Sequence, residues 1–86
     1  MKIAVNKAWG GFSLPHAIAD MLGIDSWTSN EEDRANPALI EALEESGDLG
    51  TIEIIEIPEE VTDWHIFEYD GYESVWYVLD GKMYNK

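Results

Sequence analysis

The residues of this 86-residue chain whose types and spacing could bind a ligand surround a glycine pair near the N-terminus. Gly10-Gly11 separates a predicted strand from a predicted helix, where free backbone N–H groups and the helix dipole can hold an anion. The candidate ligand-binding residues are Trp9, Gly10, Gly11, Phe12, Ser13, His16, Arg34 and Tyr69. The simpler interpretation is a tight turn that needs glycine backbone angles, because the segment matches neither a dinucleotide-binding fingerprint nor a P-loop.

A second candidate site combines one face of a predicted helix with a tyrosine-containing turn. The helix face is acidic and has no cationic partner, and like charges four residues apart destabilise a helix by a few tenths of a kcal/mol. The stability of the isolated helix therefore does not explain why this face is acidic. Tyr69-Asp70-Gly71-Tyr72 is most simply a hairpin turn, but its tyrosines could also present a contact surface. The candidate partner-binding residues are Glu41, Glu44, Glu45, Asp48 and Tyr72.

No residue pattern indicates catalysis or metal binding. His16 and His65 are far apart in the chain, and nothing pairs them at the spacing of metal ligands. With 18 acidic residues, adjacent carboxylates such as Glu44-Glu45 are expected from composition alone. No Ser or Thr stands in a recognisable nucleophile context. We therefore predict a non-enzymatic protein with no catalytic residue, no metal and no cofactor.

The negative charge is concentrated in the middle of the chain. The net charge is −13, and residues 31–73 alone carry 15 acids against one Arg, a sum of −14. A field of this sign repels nucleic acid and anionic membranes and speeds encounters with basic protein surfaces. The sequence therefore predicts a protein partner and neither direct nucleic-acid binding nor membrane binding, although acidity for solubility alone is the alternative.

The elements that must position these candidates form an α+β pattern. Strands are predicted over residues 2–8, 51–57, 64–69, 73–79 and 82–84, with a β-bulge between Ile54 and Ile55 where the alternation slips. Asp70-Gly71 and Asp80-Gly81 are hairpin-turn signals. The first helix follows Ser13 as N-cap with Pro15 in its first turn, and ends at Gly23. The second helix begins at Asn36-Pro37 and ends at Gly47. Residues 25–35 are predicted to form an ordered or semi-ordered loop anchored by Trp27.

Together these elements predict a single domain over residues 1–86, a small antiparallel sheet of four to five strands with two helices packed on one face. Its mainly buried residues are predicted to be Leu39, Ile40, Leu43, Ile52, Ile54, Ile66 and Phe67. The C-terminal strands have large apolar groups on both faces, and a second copy is the simplest cover for the outer one, which predicts a homo-oligomer. The chain has no cysteine and no apolar signal-like run, which favours a cytoplasmic location.

Three stretches resemble a family of short bacteriophage and prophage proteins. They are the opening Lys2-Ile3-Ala4-Val5-Asn6-Lys7-Ala8-Trp9-Gly10-Gly11-Phe12-Ser13-Leu14, the segment 34–45 and the segment 54–71. The resemblance implies a phage or prophage origin and, for the location, the cytoplasm of a bacterial host. Small accessory phage proteins are commonly host-takeover or counter-defence factors, which is an argument by analogy.

Three functions follow as hypotheses. The first is a non-enzymatic phage accessory protein that binds and neutralises a host factor, such as a defence protein, with acidic residues as a steering surface and exposed aromatic residues as anchors. Imitation of nucleic acid is a special case of this hypothesis. The second is a nucleotide-binding sponge built on the Gly10-Gly11 turn. The third is a minor structural or assembly protein of the virion.

Overall fold

The computed structural model describes residues 1–47 and 49–86, along which five strands and three helices follow one another. In chain order the elements are β1 (Lys2–Asn6), α1 (His16–Leu22), α2 (Glu31–Arg34), α3 (Pro37–Ser46), β2 (Ile52–Glu56), β3 (Asp63–Tyr69), β4 (Tyr72–Leu79) and β5 (Lys82–Asn85). The α+β class is as predicted. Among the described helices, none is long and apolar enough to cross a membrane.

The strands form two sheets, so the prediction of one sheet of four to five strands was wrong. β1 and β2 pair as an antiparallel ribbon, and β3, β4 and β5 form a separate antiparallel meander. β1 lies against β4, but at Asn6 its backbone N–H donates to the side chain of Glu73, at 2.7 Å, and not to a strand carbonyl. A side chain therefore occupies the position at which the two sheets could have joined.

The β1–β2 ribbon is buried on both faces, which gives the domain three layers. On one face, Ala4 and Ile52 pack with Leu39 and Leu43 of α3. On the other face, residues of the ribbon pack with the meander. That second cluster contains Ile3, Val5, Ile57, Val75 and Tyr77.

This arrangement explains the slip in alternation within β2 and corrects the predicted bulge. The register runs without interruption from Lys2 opposite Glu56 to Asn6 opposite Ile52, so no residue is inserted. Ile54 packs towards the helices, whereas Ile55 packs towards the meander. Because both faces of the ribbon are covered, apolar residues on both faces need no backbone irregularity.

The predicted core is largely correct. Leu39, Ile40, Leu43 and Ile52 are buried, and Ile54 and Ile66 are partly buried against the two clusters. Phe67 was predicted wrongly, since 54% of its surface is exposed. It alternates with Ile66 along β3, so the two side chains point to opposite faces of the meander, and Ile66 takes the covered face.

Helix boundaries follow local signals where capping groups are present. α3 begins as predicted, because the Asn36 side chain accepts a hydrogen bond from the Ala38 N–H at 2.9 Å and Pro37 follows at the first helical position. Gly47 ends it in a left-handed conformation. For α1 the predicted Ser13 cap was wrong: Pro15 stands at the N-cap and makes no side-chain capping bond.

The segment 25–35, predicted as a loop throughout, contains a short helix. Residues 31–34 form the short helix α2, capped by the Asn30 side chain. Trp27 does not anchor this segment, because 64% of its surface is exposed. The buried residues here are Thr28 and Arg34.

Candidate protein-binding site

A buried ion pair lies between the helices and the meander. Arg34 and Glu73 are 2% and 5% exposed, and two guanidinium nitrogens of Arg34 donate to the Glu73 carboxylate at 2.7 and 2.9 Å. Arg34 also donates to the backbone oxygens of Thr28 and Ala4, at 3.0 and 3.2 Å. Its guanidinium carbon lies 3.3 Å from the centroid of the Phe12 ring.

These contacts bring together two of the predicted ligand-binding residues, Arg34 and Phe12, but inside the protein. Both side chains are buried, and the guanidinium of Arg34 is already paired and stacked. A ligand at the glycine turn would have to break a buried ion pair to reach Arg34, and breaking such a pair is costly.

Asn6 joins the same network to the glycine turn. Its Nδ2 donates to the backbone oxygens of Ala8 and Gly71, each at 2.6 Å, and its Oδ1 accepts from the Thr51 hydroxyl at 2.6 Å. The side chain is fully buried. One asparagine therefore fixes the end of β1, the chain that follows it and the β3–β4 turn relative to one another.

The Gly10-Gly11 turn packs directly against the Asp70-Gly71 turn. The Gly10 N–H donates to the Asp70 backbone oxygen at 3.4 Å, and both glycines have positive φ, 110° and 95°. A Cβ atom on Gly71 would lie 2.8 Å from the Gly10 nitrogen and would collide with the Gly11 nitrogen. The interpretation as a tight turn is confirmed. The close approach requires glycine at position 71, whereas at positions 10 and 11 the positive φ angles favour it.

Three exposed aromatic side chains surround the junction of these two turns. Trp9, Tyr69 and Tyr72 are 68%, 73% and 41% exposed. The ring centroid of Trp9 lies 6.1 Å from that of Tyr69 and 5.7 Å from that of Tyr72, and the Lys7 Nζ lies 5.2 Å from the Tyr72 centroid. We call Trp9, Tyr69 and Tyr72 the aromatic tip.

The aromatic tip unites residues that the sequence assigned to two different sites. Trp9 and Tyr69 were candidates for ligand binding, and Tyr72 for partner binding. The remaining ligand candidates, Ser13 and His16, are exposed, and no contact in the described part of the chain joins them to the tip.

The acidic candidates lie on the exposed side of α3. Glu41, Glu44 and Glu45 are exposed, and we call them the acidic ridge. Asp48 lies outside the described residues. The expectation that no cation pairs with this face was wrong for Glu44, because the Lys2 Nζ lies 2.9 Å from its Oε2. This hydrogen bond raises the pKa of Lys2 above its ordinary value.

The acidic ridge and the aromatic tip lie at opposite ends of β1. Lys2, at the start of the strand, contacts the ridge, whereas Trp9 follows the strand's last residue, Asn6. The four residue steps of β1 alone span about 13 Å. At physiological salt, electrostatic interactions are screened over about 8 Å. The ridge therefore steers an approaching molecule and contributes little to the energy of the contacts that form at the tip.

A charged cluster protects the outer edge of β3. The Glu31 carboxylate accepts from the Ile66 N–H at 2.6 Å and lies 3.2 Å from the His65 Nδ1. The His65 Nε2 lies 3.3 Å from Asp63. The hydrogen bond to Glu31, then the charge of Asp63, raises the pKa of His65 above its ordinary value of 6.5. Glu31 therefore occupies a backbone donor that an unprotected edge strand would offer to another chain.

Sequence reasoning missed Glu73 and Asn6, although one signal for Glu73 was present. Glu73 is in phase with Val75 and Tyr77 along β4, so the alternation places its carboxylate on the buried face. A buried carboxylate needs a cation, and Arg34 is the one arginine of the chain. Asn6 gave no comparable signal, because a polar residue at the end of a strand is ordinary.

Within residues 1–47 and 49–86, no three His, Asp or Glu side chains are grouped so as to hold a metal ion. Comparison of the chain with models of known protein families found no match. Comparisons with curated proteins and with solved structures likewise found none.

Proposed function

We propose that this chain is a non-enzymatic binding protein of phage or prophage origin that engages and neutralises a host protein with a basic surface. The observation that carries the proposal is the aromatic tip, three exposed aromatic side chains held by a buried polar network on a protein of net charge −13. The phage origin rests on the family resemblance of the three stretches described above.

The tip has the properties of an interface anchor. Trp and Tyr bury a large area at low cost in side-chain entropy and are enriched among the residues that dominate binding energy. Asn6, Gly71 and the Arg34–Glu73 pair fix the backbone on which the three rings stand. A surface ordered before binding avoids the cost of ordering it in the complex, and that increases affinity.

Charge selects the class of partner. Residues 31–73 carry a net charge of −14, and the exposed acidic ridge belongs to this segment. Such a field accelerates encounters with a basic surface and opposes approach to nucleic acid or anionic lipid. A host protein that itself binds nucleic acid has a basic groove, so imitation of a phosphate array is a special case of this function.

The test compares variants of the tip, of the ridge and of a matched position. Immobilised wild-type protein is incubated with a nuclease-treated bacterial lysate, and the retained protein is identified and purified for kinetic measurement. The tip variant is Trp9→Ala with Tyr69→Ala. The control is Trp27→Ala, which removes a tryptophan of similar exposure, 64% against 68%, away from the tip.

We expect the tip variant to weaken binding by about 2 kcal/mol or more, roughly 30-fold in Kd, mainly through faster dissociation. The Trp27 control should bind as the wild type does. If no protein retained by the wild type is lost by the tip variant, the tip is not the binding site and the proposal fails.

A thermal-shift screen with mono-, di- and cyclic nucleotides tests the rival nucleotide-sponge function. A ligand present at 100 times its Kd stabilises the folded state by about 2.7 kcal/mol. Because Arg34 is already paired with Glu73 and the Gly10 N–H with Asp70, we expect no shift. A reproducible increase in Tm with one nucleotide would favour the sponge over the host-binding function.

A further inference from the structure

The three rings of the aromatic tip are not stacked on one another. Trp9 and Tyr69 meet edge to face, at an interplanar angle of 69°, and Trp9 and Tyr72 are tilted by 47°. Rings arranged in this way leave much of their faces open to solvent. The face of an aromatic ring is the negative part of its quadrupole and attracts a cation placed over it. The tip therefore offers positions for a cation as well as apolar contact area.

One cation of the chain already lies over a ring of the tip. The Lys7 Nζ is 5.2 Å from the Tyr72 centroid and donates to the backbone oxygen of Lys86 at 3.3 Å. Tyr72 is also the least exposed of the three rings. Trp9 and Tyr69 are therefore the rings that a cation from another molecule can reach.

The charged side chains at the tip also favour a cation. Glu68 and Asp70 flank Tyr69 in the chain and are exposed, and two carboxylates against the one ammonium group of Lys7 give a sum of −1. The Glu68 carboxylate accepts a hydrogen bond from the Gly71 N–H. In the part of the chain that the structure describes, the Asp70 carboxylate makes no hydrogen bond or ion pair. It can therefore pair with a donor on another molecule.

Arginine suits a ring beside a carboxylate better than lysine does. The guanidinium group is planar and weakly hydrated, so it can lie on a ring while its N–H groups donate to a carboxylate, whereas the ammonium group of lysine is compact and strongly hydrated. Arg34 shows this arrangement inside the protein. Its guanidinium carbon is 3.3 Å from the Phe12 centroid, while two of its nitrogens donate to Glu73. The tip presents the same two kinds of group on the surface, open rings and a carboxylate.

We propose that the aromatic tip binds an arginine side chain of the basic partner, with the guanidinium lying against Trp9 and Tyr69 and donating to the Asp70 carboxylate. The arginine belongs to the host protein, so this assignment rests on the proposed function. Asp70 becomes a specificity-determining residue of the site, because its carboxylate selects a planar donor over other exposed groups that could contact the rings.

The test is an NMR titration of the full chain with peptides that differ only in the side chain offered to the tip. The probes are acetyl-Gly-Arg-Gly-Arg-Gly-Arg-amide, the same peptide with lysine in place of arginine, and the same peptide with neutral citrulline. The arginine peptide should shift the indole N–H signal of Trp9 with a Kd at least about 5-fold below that of the lysine peptide, and the citrulline peptide should bind more weakly than either. Trp27, which is similarly exposed but lies outside the tip, is the internal control and should respond only at higher peptide concentrations. Equal affinities of Trp9 for the arginine and lysine peptides, or binding at Trp27 as tight as at Trp9, would overturn the proposal.

The role of Asp70 is tested by Asp70→Asn, with Asp80→Asn as the matched control. Both aspartates precede the glycine of a hairpin turn and have positive φ, 49° and 52°, which asparagine tolerates. Asp70→Asn should weaken the arginine peptide about 5-fold, whereas Asp80→Asn should bind as the wild type does. Equal affinities in the two variants would contradict the pairing with Asp70. Should Asp70→Asn fail to fold, the comparison of arginine and lysine peptides on the wild type still decides.

The peptide titration needs no host protein, so its outcome is separate from that of the lysate experiment. A host protein that is lost by the tip variant, together with no preference for the arginine peptide, would reject arginine recognition and leave the host-binding function standing. A clear preference for the arginine peptide at Trp9 with no host protein retained would support arginine recognition and count against the host-binding function.

Discussion

Replacement of Gly71 by Ala tests whether the aromatic tip is held by the close approach of two turns. Gly71 has a φ of 87°, and an added Cβ would collide with the backbone of Gly10 and Gly11. Gly81 occupies the equivalent place in the next hairpin turn with a φ of 76°, but nothing lies within 4 Å of its added Cβ. The two substitutions therefore share the backbone strain and differ in the collision.

The magnitudes follow from this difference. A left-handed conformation costs a residue with a Cβ roughly 1–2 kcal/mol, so Gly81→Ala should lower the free energy of unfolding by that amount. Forcing an extra carbon into a packed site typically costs about 1–3 kcal/mol more. Gly71→Ala should therefore lose about 2–5 kcal/mol, a large part of the stability of a small domain.

The assay is urea denaturation followed by far-UV circular dichroism, which gives the free energy of unfolding of each variant from its midpoint and slope. In the conditions where Gly71→Ala remains folded, it should also lose partner binding although no aromatic residue has changed. Equal losses of stability in the two variants would mean that the turns do not constrain each other, and the account of the tip as a rigid surface would be refuted.

Three further outcomes are expected. Glu73→Gln leaves the Arg34 charge buried and uncompensated and should cost about 3–5 kcal/mol of unfolding free energy. Glu44→Gln breaks an exposed pair and should cost far less, and similar costs for the two variants would contradict the structural role of the buried pair. An NMR titration should place the midpoint of His65 above 6.5, and Glu31→Gln should lower that midpoint. The stabilisation from this pairing should be complete below about pH 6.5 and lost as the pH rises through the higher folded-state pKa. A midpoint at or below 6.5 would contradict the pairing of His65 with Glu31. Conversion of the acidic ridge to glutamine should slow association with a basic partner and flatten its salt dependence, and an unchanged rate at low salt would remove the ridge from the mechanism.

Features that depend on neighbouring residues were predictable from the sequence. Asn36-Pro37 and Gly47 bound α3 because the capping bond and the left-handed end lie within a few residues of the helix they terminate. Asp70-Gly71 and Asp80-Gly81 have positive φ at both positions, which is what a two-residue hairpin turn requires. Where the local signal was ambiguous, as with Ser13 and Pro15, the predicted boundary was wrong.

The candidate site was only partly predictable, because its organising contacts join residues far apart in the chain. Gly71 meets Gly10 and Gly11, and Arg34 pairs with a carboxylate 39 residues away, so neither contact leaves a local pattern. The sequence made Arg34 a candidate for charge pairing with a ligand at the glycine turn. The partner turned out to be internal.

By itself the sequence determined the α+β class, α3, the two hairpin turns and the concentration of charge in residues 31–73, since each is a sum over local properties. Only the tertiary structure decided that β1 and β2 separate from the meander and lie between two layers. The choice between joining a sheet and packing face to face depends on which side chains reach the backbone groups of β1. Glu73 accepts from the Asn6 N–H, and Arg34 donates to the Ala4 carbonyl oxygen. The same long-range packing brought Trp9 to Tyr69 and Tyr72, because a surface made from distant segments exists only after the chain between them has folded.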